Sequence, residues 1–164
     1  MTHSAAPDPT VRIDAETAAD AAAVEAVVLA AFGPGRFAKT AERLREQAVP
    51  VAGFVAREDS RVIGSVRLWP IRVGDTDALF LGPIAVEASS RRAGLGADLV
   101  AACVDHARKA GALGVLLVGD MPYFSRFGFA PSPDVDLPGP VDRRRLLWLP
   151  LASASVRGPV RPIR

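Results

Sequence analysis

Apolar and polar positions form blocks along the chain that predict alternating helices and strands. Val11-Arg12-Ile13 alternates like a short strand. Over 17–32, apolar residues recur at three- and four-residue spacing, which places them on one face of a helix. The run Gly33-Pro34-Gly35 ends that helix. A second, more polar helix is expected over 39–47.

The middle of the chain has the pattern of an antiparallel sheet. Segments 53–56 and 62–68 flank a polar turn, which predicts a hairpin. Pro70 predicts an interruption with a bend after the second of these strands. A long apolar strand is expected over 78–86. Because proline cannot donate to a sheet ladder, Gly82-Pro83 inside it predicts a bulge or a splayed edge.

A β-helix-β unit is predicted from Leu79 to Val118. The helix ends at Gly111, and the short apolar strand 115–118 is typical of a central parallel position. A last strand is expected over 146–149. The inward stripe of the helix is Leu95, Leu99, Cys103 and Ala107.

Length and composition place the chain among ordinary single domains. It has 164 residues, of which 49% are hydrophobic, so it can build a core. The longest apolar stretch is about half of the roughly 20 residues that a membrane helix needs. The N-terminus shows no secretory signal. The single cysteine, Cys103, excludes an intrachain disulfide and fits a reducing compartment. A cytoplasmic protein without membrane partners is expected.

Charge adds one candidate feature. The formal net charge is only +2, with 20 basic residues against 18 acidic ones. The basic cluster Arg143-Arg144-Arg145 lacks interleaved aromatic residues, so it does not indicate nucleic-acid binding. A solvated surface or a contact with an anionic ligand is favoured instead.

The glycine loop 91–96, between a strand and a helix, carries the clearest chemical signal. Gly94 and Gly96 lack a Cβ, so the backbone can come close to a bulky anion. The following helix N-terminus offers unpaired N–H donors and a positive dipole end. Arg91 and Arg92 add full charges. A phosphate or pyrophosphate is the ligand that this arrangement suits, although many such turns need glycine for steric reasons only.

Three segments together resemble the signature of the GNAT N-acetyltransferase superfamily. These are 81–86 (LGPIAV), the loop Arg91-x-x-Gly94-x-Gly96, and 119–129 (GDMPYFSRFGF), which resembles the ending of a predicted small-molecule acetyltransferase subgroup. The agreement runs from about residue 11 to 151. The resemblance implies an α+β fold with a mixed, mostly antiparallel sheet, flanking helices and one parallel, splayed strand pair. The domain would span 11–151, between a flexible tail, 1–10, and a C-terminal tail, 152–164.

By this resemblance the co-substrate is acetyl-CoA. The glycine loop would cradle its pyrophosphate with backbone amides, and 84–86 would pair with the pantetheine arm through main-chain groups. The residues that the resemblance assigns to acetyl-CoA binding are Ile84, Ala85, Val86, Arg91, Arg92, Ala93, Gly94, Leu95, Gly96 and Phe124.

The implied reaction is direct attack of an amine on the thioester. The family's general acid is a tyrosine at the position that Phe124 occupies here, and the only tyrosine, Tyr123, is one place earlier. A shift of one residue on a helix turns a side chain by about 100°. Tyr123, Ser125, water or no acid at all are therefore open alternatives. Glu87 and Asp120, each just after a strand, are candidate bases.

Two functions are compatible with these features. The first is an N-acetyltransferase acting on a small-molecule or protein amine. The second is a non-catalytic CoA-binding sensor or partner-binding module, which Phe124 in the acid position keeps open. A homodimer is left open, and neither nucleic acid nor a metal is expected. Candidate residues of the acceptor pocket are Phe32, Arg36, Phe37 and Trp69.

Overall fold

The computed structural model describes residues 11–33, 40–89 and 93–164. Within these ranges the helices are α1 (Ala21–Phe32), α2 (Thr40–Arg43), α3 (Leu95–Lys109) and α4 (Met121–Phe124). The strands are β1 (Val11–Ala15), β2 (Ala52–Glu58), β3 (Arg61–Val73), β4 (Thr76–Leu81), β5 (Ala85–Val86), β6 (Gly114–Val118), β7 (Ala130–Pro131), β8 (Val135–Asp136), β9 (Leu146–Pro150) and β10 (Gly158–Pro162).

The strands form one mixed sheet with the order β1-β2-β3-β4-β6-β9-β7. Every neighbouring pair in this order is antiparallel except β4 and β6, which run parallel because α3 carries the chain between them. β5 pairs with β3, and β10 pairs with β3 and, in parallel, with β8. The predicted hairpin, the β-helix-β unit and the mixed α+β fold class are confirmed.

Helices α1 and α3 pack on opposite faces of the sheet. Val55 of β2 packs with α1 residues, whereas its neighbour Ala56 packs with α3 residues. Because successive side chains of a strand point to opposite faces, the two helices lie on opposite sides. The predicted inward stripe of α3 is confirmed, since Leu95, Leu99, Cys103 and Ala107 are all buried.

β3 runs through Pro70 without the predicted interruption, and Pro70 pairs with Leu79. On its other side β3 is bordered first by β2 and then by β10. The Leu68 carbonyl accepts from the Val51 amide, and the Pro70 carbonyl accepts from the Ile163 amide. The missing N–H of Pro70 therefore falls where β2 begins and β10 ends, a point at which the ladder along this side of β3 is already discontinuous.

The predicted bulge at Gly82-Pro83 is confirmed. Both β4 and β5 pair with β3, with Leu81 opposite Leu68 and Ala85 opposite Ser65. Residues 82–84 thus face only residues 66–67, which is one extra residue on the β4–β5 side. Gly82 has φ of +139°, a conformation that favours glycine. The bulge separates the end of β4 from the start of β5.

The C-terminal segment, expected to be a tail, contributes a strand. Val160 of β10 pairs with Val73, and Val156 and Val160 are both buried. The strand predicted as the last, β9, is therefore followed by another. Val160 is the only buried residue of β10, so the sequence of this segment shows no alternating pattern. Its extended conformation is decided by pairing with β3, which is far away in sequence. The predicted N-terminal tail lies outside the described residues.

Among the described helices, none has both the length and the apolar character that a membrane crossing requires.

Candidate active site

A gap opens between β5 and β6 just beyond the parallel pairing of β4 with β6. Leu79 pairs with Val115 and Phe80 with Leu116, and beyond these two pairs the segments that follow in β4 and β6 are no longer joined. β5 stays with β3, where the Glu87 amide donates to the Ile63 carbonyl at 2.7 Å. Because main-chain groups of successive strand residues point to opposite sides, those of Ile84 and Val86 face the gap.

A cavity of about 500 Å³ lies at this gap. Most of its wall is apolar, and charged side chains come from three elements: Arg45 after α2, Asp120 after β6 and Arg145 before β9. The apolar lining residues are Phe32, Ala41, Phe80, Leu81, Pro83, Ile84, Leu117, Val118 and Phe124. A concave apolar site with a few convergent polar groups is the usual form of a small-molecule site.

The glycine loop leads into the first turn of α3. Gly94 is the residue at the N-cap, with φ of +83°, and no side chain caps this helix end within the described residues. Its first amides are therefore free to bind an anion. Ala93 and Gly94 are exposed, and Leu95 is buried beneath them in the core. Arg91 and Arg92 lie outside the described residues.

Tyr123 and Phe124 occupy different environments. Phe124 is buried in the core, where its ring makes an edge contact with Phe129. Tyr123 is half-buried and lines the cavity, with the Arg126 guanidinium 4.2 Å from its ring centre. A Cβ placed on Gly96 would lie 3.3 Å from the Tyr123 hydroxyl. The phenol thus reaches from α4 to the first turn of α3.

Asp120 lies at the cavity rim, between the end of β6 and the start of α4. Its main-chain carbonyl accepts from the Phe124 amide at 3.0 Å, which fixes its position at the helix start. Its carboxylate is exposed and makes no hydrogen bond or ion pair within 11–33, 40–89 and 93–164. A carboxylate in this state can accept a proton from a ligand in the cavity.

Glu87, the other candidate base, does not share this cavity. Its carboxylate accepts from Arg61 at 2.6 Å and from the Ser89 hydroxyl at 2.6 Å. These two hydrogen bonds, the one from Arg61 first, hold the pKa of Glu87 below its ordinary value. Glu87 lines a second cavity, of about 1030 Å³, between α1 and the β2–β3 turn. The sequence named both Glu87 and Asp120 as candidate bases, and the structure places them at two different cavities.

Of the residues that the sequence suggested for the acceptor pocket, some line the cavity and others do not. Phe32 lines the cavity, whereas Trp69 is buried and its indole N–H donates to the Gly82 carbonyl at 2.5 Å. Arg36 and Phe37 lie outside the described residues. Cys103 is buried in the core and burial raises the pKa of its thiol, so it is no nucleophile. No group of three metal-ligating side chains occurs in the described part of the chain.

Arg45 is a cavity residue that sequence reasoning did not single out, and Arg145 was noted only as one member of a basic cluster. Arg45 is 9% exposed and donates from Nη2 to the Glu42 carboxylate at 2.9 Å and from Nε at 3.2 Å. Neither residue has a local pattern that reveals the cavity, because α2 and β9 reach it only through tertiary packing.

Comparisons with known proteins agree with this geometry. The model of the acetyltransferase (GNAT) family matches residues 22–129. The uncharacterized N-acetyltransferase YhbS of Escherichia coli K12 is 34% identical over 128 residues, which cover 76% of this chain and 77% of YhbS.

Two crystal structures share the fold over almost the whole chain. E. coli YhbS in complex with CoA has 29% identity and a TM-score of 0.82, covering 98% of this chain and 94% of its own. A GNAT family acetyltransferase from Brucella melitensis in complex with acetyl-CoA has 26% identity and a TM-score of 0.73, covering 94% of this chain and 96% of its own. The chain therefore belongs to the GNAT family of N-acetyltransferases, enzymes whose co-substrate is acetyl-CoA.

Proposed function

We propose that this protein transfers the acetyl group of acetyl-CoA to a primary amine by direct attack on the thioester. The observation that carries the proposal is the gap between β5 and β6, which exposes main-chain groups of Ile84 and Val86 and opens into a cavity with Asp120 and Tyr123 on its wall. This arrangement offers an extended thiol arm a strand to pair with and brings its end to ionisable side chains.

The cofactor would bind along one continuous path. Its pyrophosphate meets the free amides at the start of α3, in 93–96, with Arg91 and Arg92 adding positive charge. The pantetheine arm pairs with the main chain of Ile84 and Val86, while Ala85 between them holds the strand to β3. Phe124 closes the apolar wall of the cavity. The crystal structures of the two relatives are complexes with CoA and acetyl-CoA, which supports a site for this cofactor in the fold.

The chemical step needs a proton acceptor because the acceptor amine is mostly protonated. An amine with a pKa of about 10.4 is neutral in roughly one molecule in 2,500 at pH 7. Asp120, directly or through one water, accepts the proton that the ammonium must lose before it attacks. The neutral nitrogen then attacks the thioester carbon, a C–N bond forms, and the nitrogen, now cationic, releases its second proton to water. The Val86 amide, which faces the gap, donates to the oxyanion.

Collapse of the tetrahedral intermediate breaks the C–S bond and leaves CoA thiolate. Tyr123 would give this sulfur its proton, because it is the phenol on the cavity wall. Phe124, at the family's acid position, has no proton to give. The position of the Tyr123 hydroxyl, 3.3 Å from where a Cβ on Gly96 would lie, supports this role, since it places the phenol beside the first turn of α3 on the cofactor path.

Two measurements test the proposal against a non-catalytic CoA-binding module. Acetyl-CoA is titrated by calorimetry, and release of free thiol is followed over a panel of amines. The proposal expects binding together with amine-dependent thiol release. Binding without release for any amine would support the sensor or partner-binding alternative.

The pyrophosphate path has its own test. Gly96→Val should raise the Kd for acetyl-CoA at least tenfold, because its branched side chain narrows the space between the first turn of α3 and the Tyr123 hydroxyl, which lies on the proposed cofactor path. Ala101→Val, at an exposed position of the same helix, is the matched control and should leave that Kd unchanged. An unchanged Kd for Gly96→Val with an intact CD spectrum would remove the assignment.

A further inference from the structure

The three adjacent arginines 143–145 have different partners. Arg143 donates to the Asp136 carboxylate at 2.7 Å and to two main-chain carbonyls. Arg144 donates to both carboxylate oxygens of Asp142, at 3.1 and 2.9 Å. Arg145 makes no side-chain hydrogen bond or ion pair with any described residue, and it influences Asp142 only through its charge. Two of the three arginines therefore pair with carboxylates of the protein, and Arg145 has no such partner among the described residues.

Arg145 places its unused charge at the substrate cavity. Its main-chain carbonyl accepts from the Gly119 amide at 2.9 Å, so β9 holds it beside the residue that precedes Asp120. Both residues line the cavity, and no ion pair joins their side chains. The rim thus presents one positive and one negative group, each without a protein partner among the described residues.

The other cavity arginine is already neutralised. Arg45 and Glu42 form an ion pair whose side chains are 9% and 10% exposed. The rest of the wall is apolar, with Phe80, Leu117 and Val118 among its residues. A ligand that satisfies this cavity needs a cationic or amine group for Asp120, an anionic group for Arg145 and an apolar part for the rest of the wall.

We infer that the acceptor is a primary amine that also carries an anionic oxygen group, a carboxylate or a phosphate, which Arg145 binds. This inference rests on the proposed function and specifies its substrate class. The guanidinium donors of arginine are planar and match the paired oxygens of both groups. Asp120 faces the amine end, so recognition at Arg145 orients the nitrogen for attack.

Matched pairs of amines test the inference. Phenylalanine is compared with phenethylamine, leucine with isopentylamine, and phosphoethanolamine with ethanolamine, by thiol release with saturating acetyl-CoA. The first two pairs report on a carboxylate and the third on a phosphate. For the carboxylate pairs, the phosphate pair or both, kcat/KM should be at least tenfold higher for the anionic amine than for its neutral partner. A tenfold ratio is what one charge-assisted hydrogen bond is worth.

Arg145→Gln should bring that ratio to about one by raising KM for the anionic amine, while the neutral amine is unaffected. Arg144→Gln removes the same charge from the neighbouring residue, which does not line the cavity, and should preserve the ratio. Added salt should lower the ratio in the wild type and not in Arg145→Gln, because the interaction is electrostatic. The Kd for acetyl-CoA should be the same in all three proteins.

Three results would overturn the inference. Equal kcat/KM within every pair would show that the anion is not recognised, while amine-dependent thiol release would leave the proposed function standing. A raised Kd for acetyl-CoA in Arg145→Gln would assign this residue to the phosphates of the cofactor. If none of the amines, anionic or neutral, caused thiol release, the proposed function would be overturned and this inference with it.

Discussion

The charged residues at the N-terminal corner of the sheet and those at the cavity rim have opposite environments. At the corner, Arg57 donates to both oxygens of Asp20 at 2.8 Å and to Asp14 at 2.8 Å, which ties β2 to β1 and to the start of α1. Nearby, Arg67 donates to both oxygens of Glu16. At the rim, Asp120 and Arg145 have no such partners in the described residues.

This difference separates structural charges from charges available to ligands. A buried carboxylate such as Asp20 is stable only because Arg57, the Thr17 amide and the Thr17 hydroxyl satisfy it. An exposed carboxylate such as Asp120 needs no protein partner and keeps its acceptor capacity. Glu87 belongs with the first group, since Arg61 and Ser89 hold it. Position at a strand end therefore does not by itself identify a catalytic carboxylate.

The largest effect is expected for Asp120→Asn. The amide cannot accept a proton, so kcat should fall by roughly 10²- to 10³-fold with acetyl-CoA binding unchanged. Glu87→Gln is the matched control, and it should change kcat by less than about threefold because this carboxylate is already held by protein donors. Thiol release at saturating substrates measures both variants. A larger loss for Glu87→Gln would reverse the assignment of the base.

Tyr123→Phe is expected to have the next largest effect. If its phenol protonates the leaving sulfur, kcat should fall by roughly 10²-fold while the Kd for acetyl-CoA changes little. Adding Phe124→Tyr to this variant should not restore the rate, because Phe124 is packed into the core against Phe129. Unchanged kcat in Tyr123→Phe, where chemistry limits the rate, would show that the sulfur is protonated by water or Ser125 or leaves without an acid.

At the corner, the expected effect is on stability. Arg57→Leu leaves Asp20 without its main partner and should lower the free energy of unfolding by about 2 kcal/mol at pH 7, less than for a fully buried pair because Arg57 is 16% exposed. Arg72→Leu breaks an arginine–aspartate pair whose side chains are 45% and 64% exposed, and it should have far less effect. Urea unfolding compares the two variants, and equal losses would contradict the distinction.

The smallest effect concerns pH. Arg57 and Thr17 lower the pKa of Asp20, so the unfolded chain takes up this proton first as the pH falls. The stability from the pair is fully present above the ordinary aspartate pKa of about 3.9 and is lost below it. The difference in unfolding free energy between wild type and Arg57→Leu should be constant above about pH 5 and shrink towards pH 3. A constant difference over this whole range would exclude the linkage.

Features that depend on neighbouring residues were predictable from the sequence. The periodic apolar residues of α3, the β2–β3 hairpin and the bulge at Gly82-Pro83 all follow from local spacing and from backbone chemistry. The glycine loop at the start of α3 belongs to the same class. So does the family resemblance, because its motifs are short and contiguous.

Tertiary structure alone decided the features that join distant segments. β10 is a strand because β3 offers it an edge, and Pro70 is accommodated because two different strands border β3 at that point. Glu87 lies at another cavity, where Arg61, 26 residues earlier, donates to its carboxylate, whereas the segment before β9 brings Arg145 to the cavity beside Asp120.

The sequence by itself thus determined most of the secondary structure, the family and the glycine loop, since local backbone preferences and apolar periodicity act within a few residues. Which carboxylate and which of the three arginines line the cavity depended on packing between segments remote in sequence. A side chain's hydrogen-bond partners and exposure exist only once those segments meet.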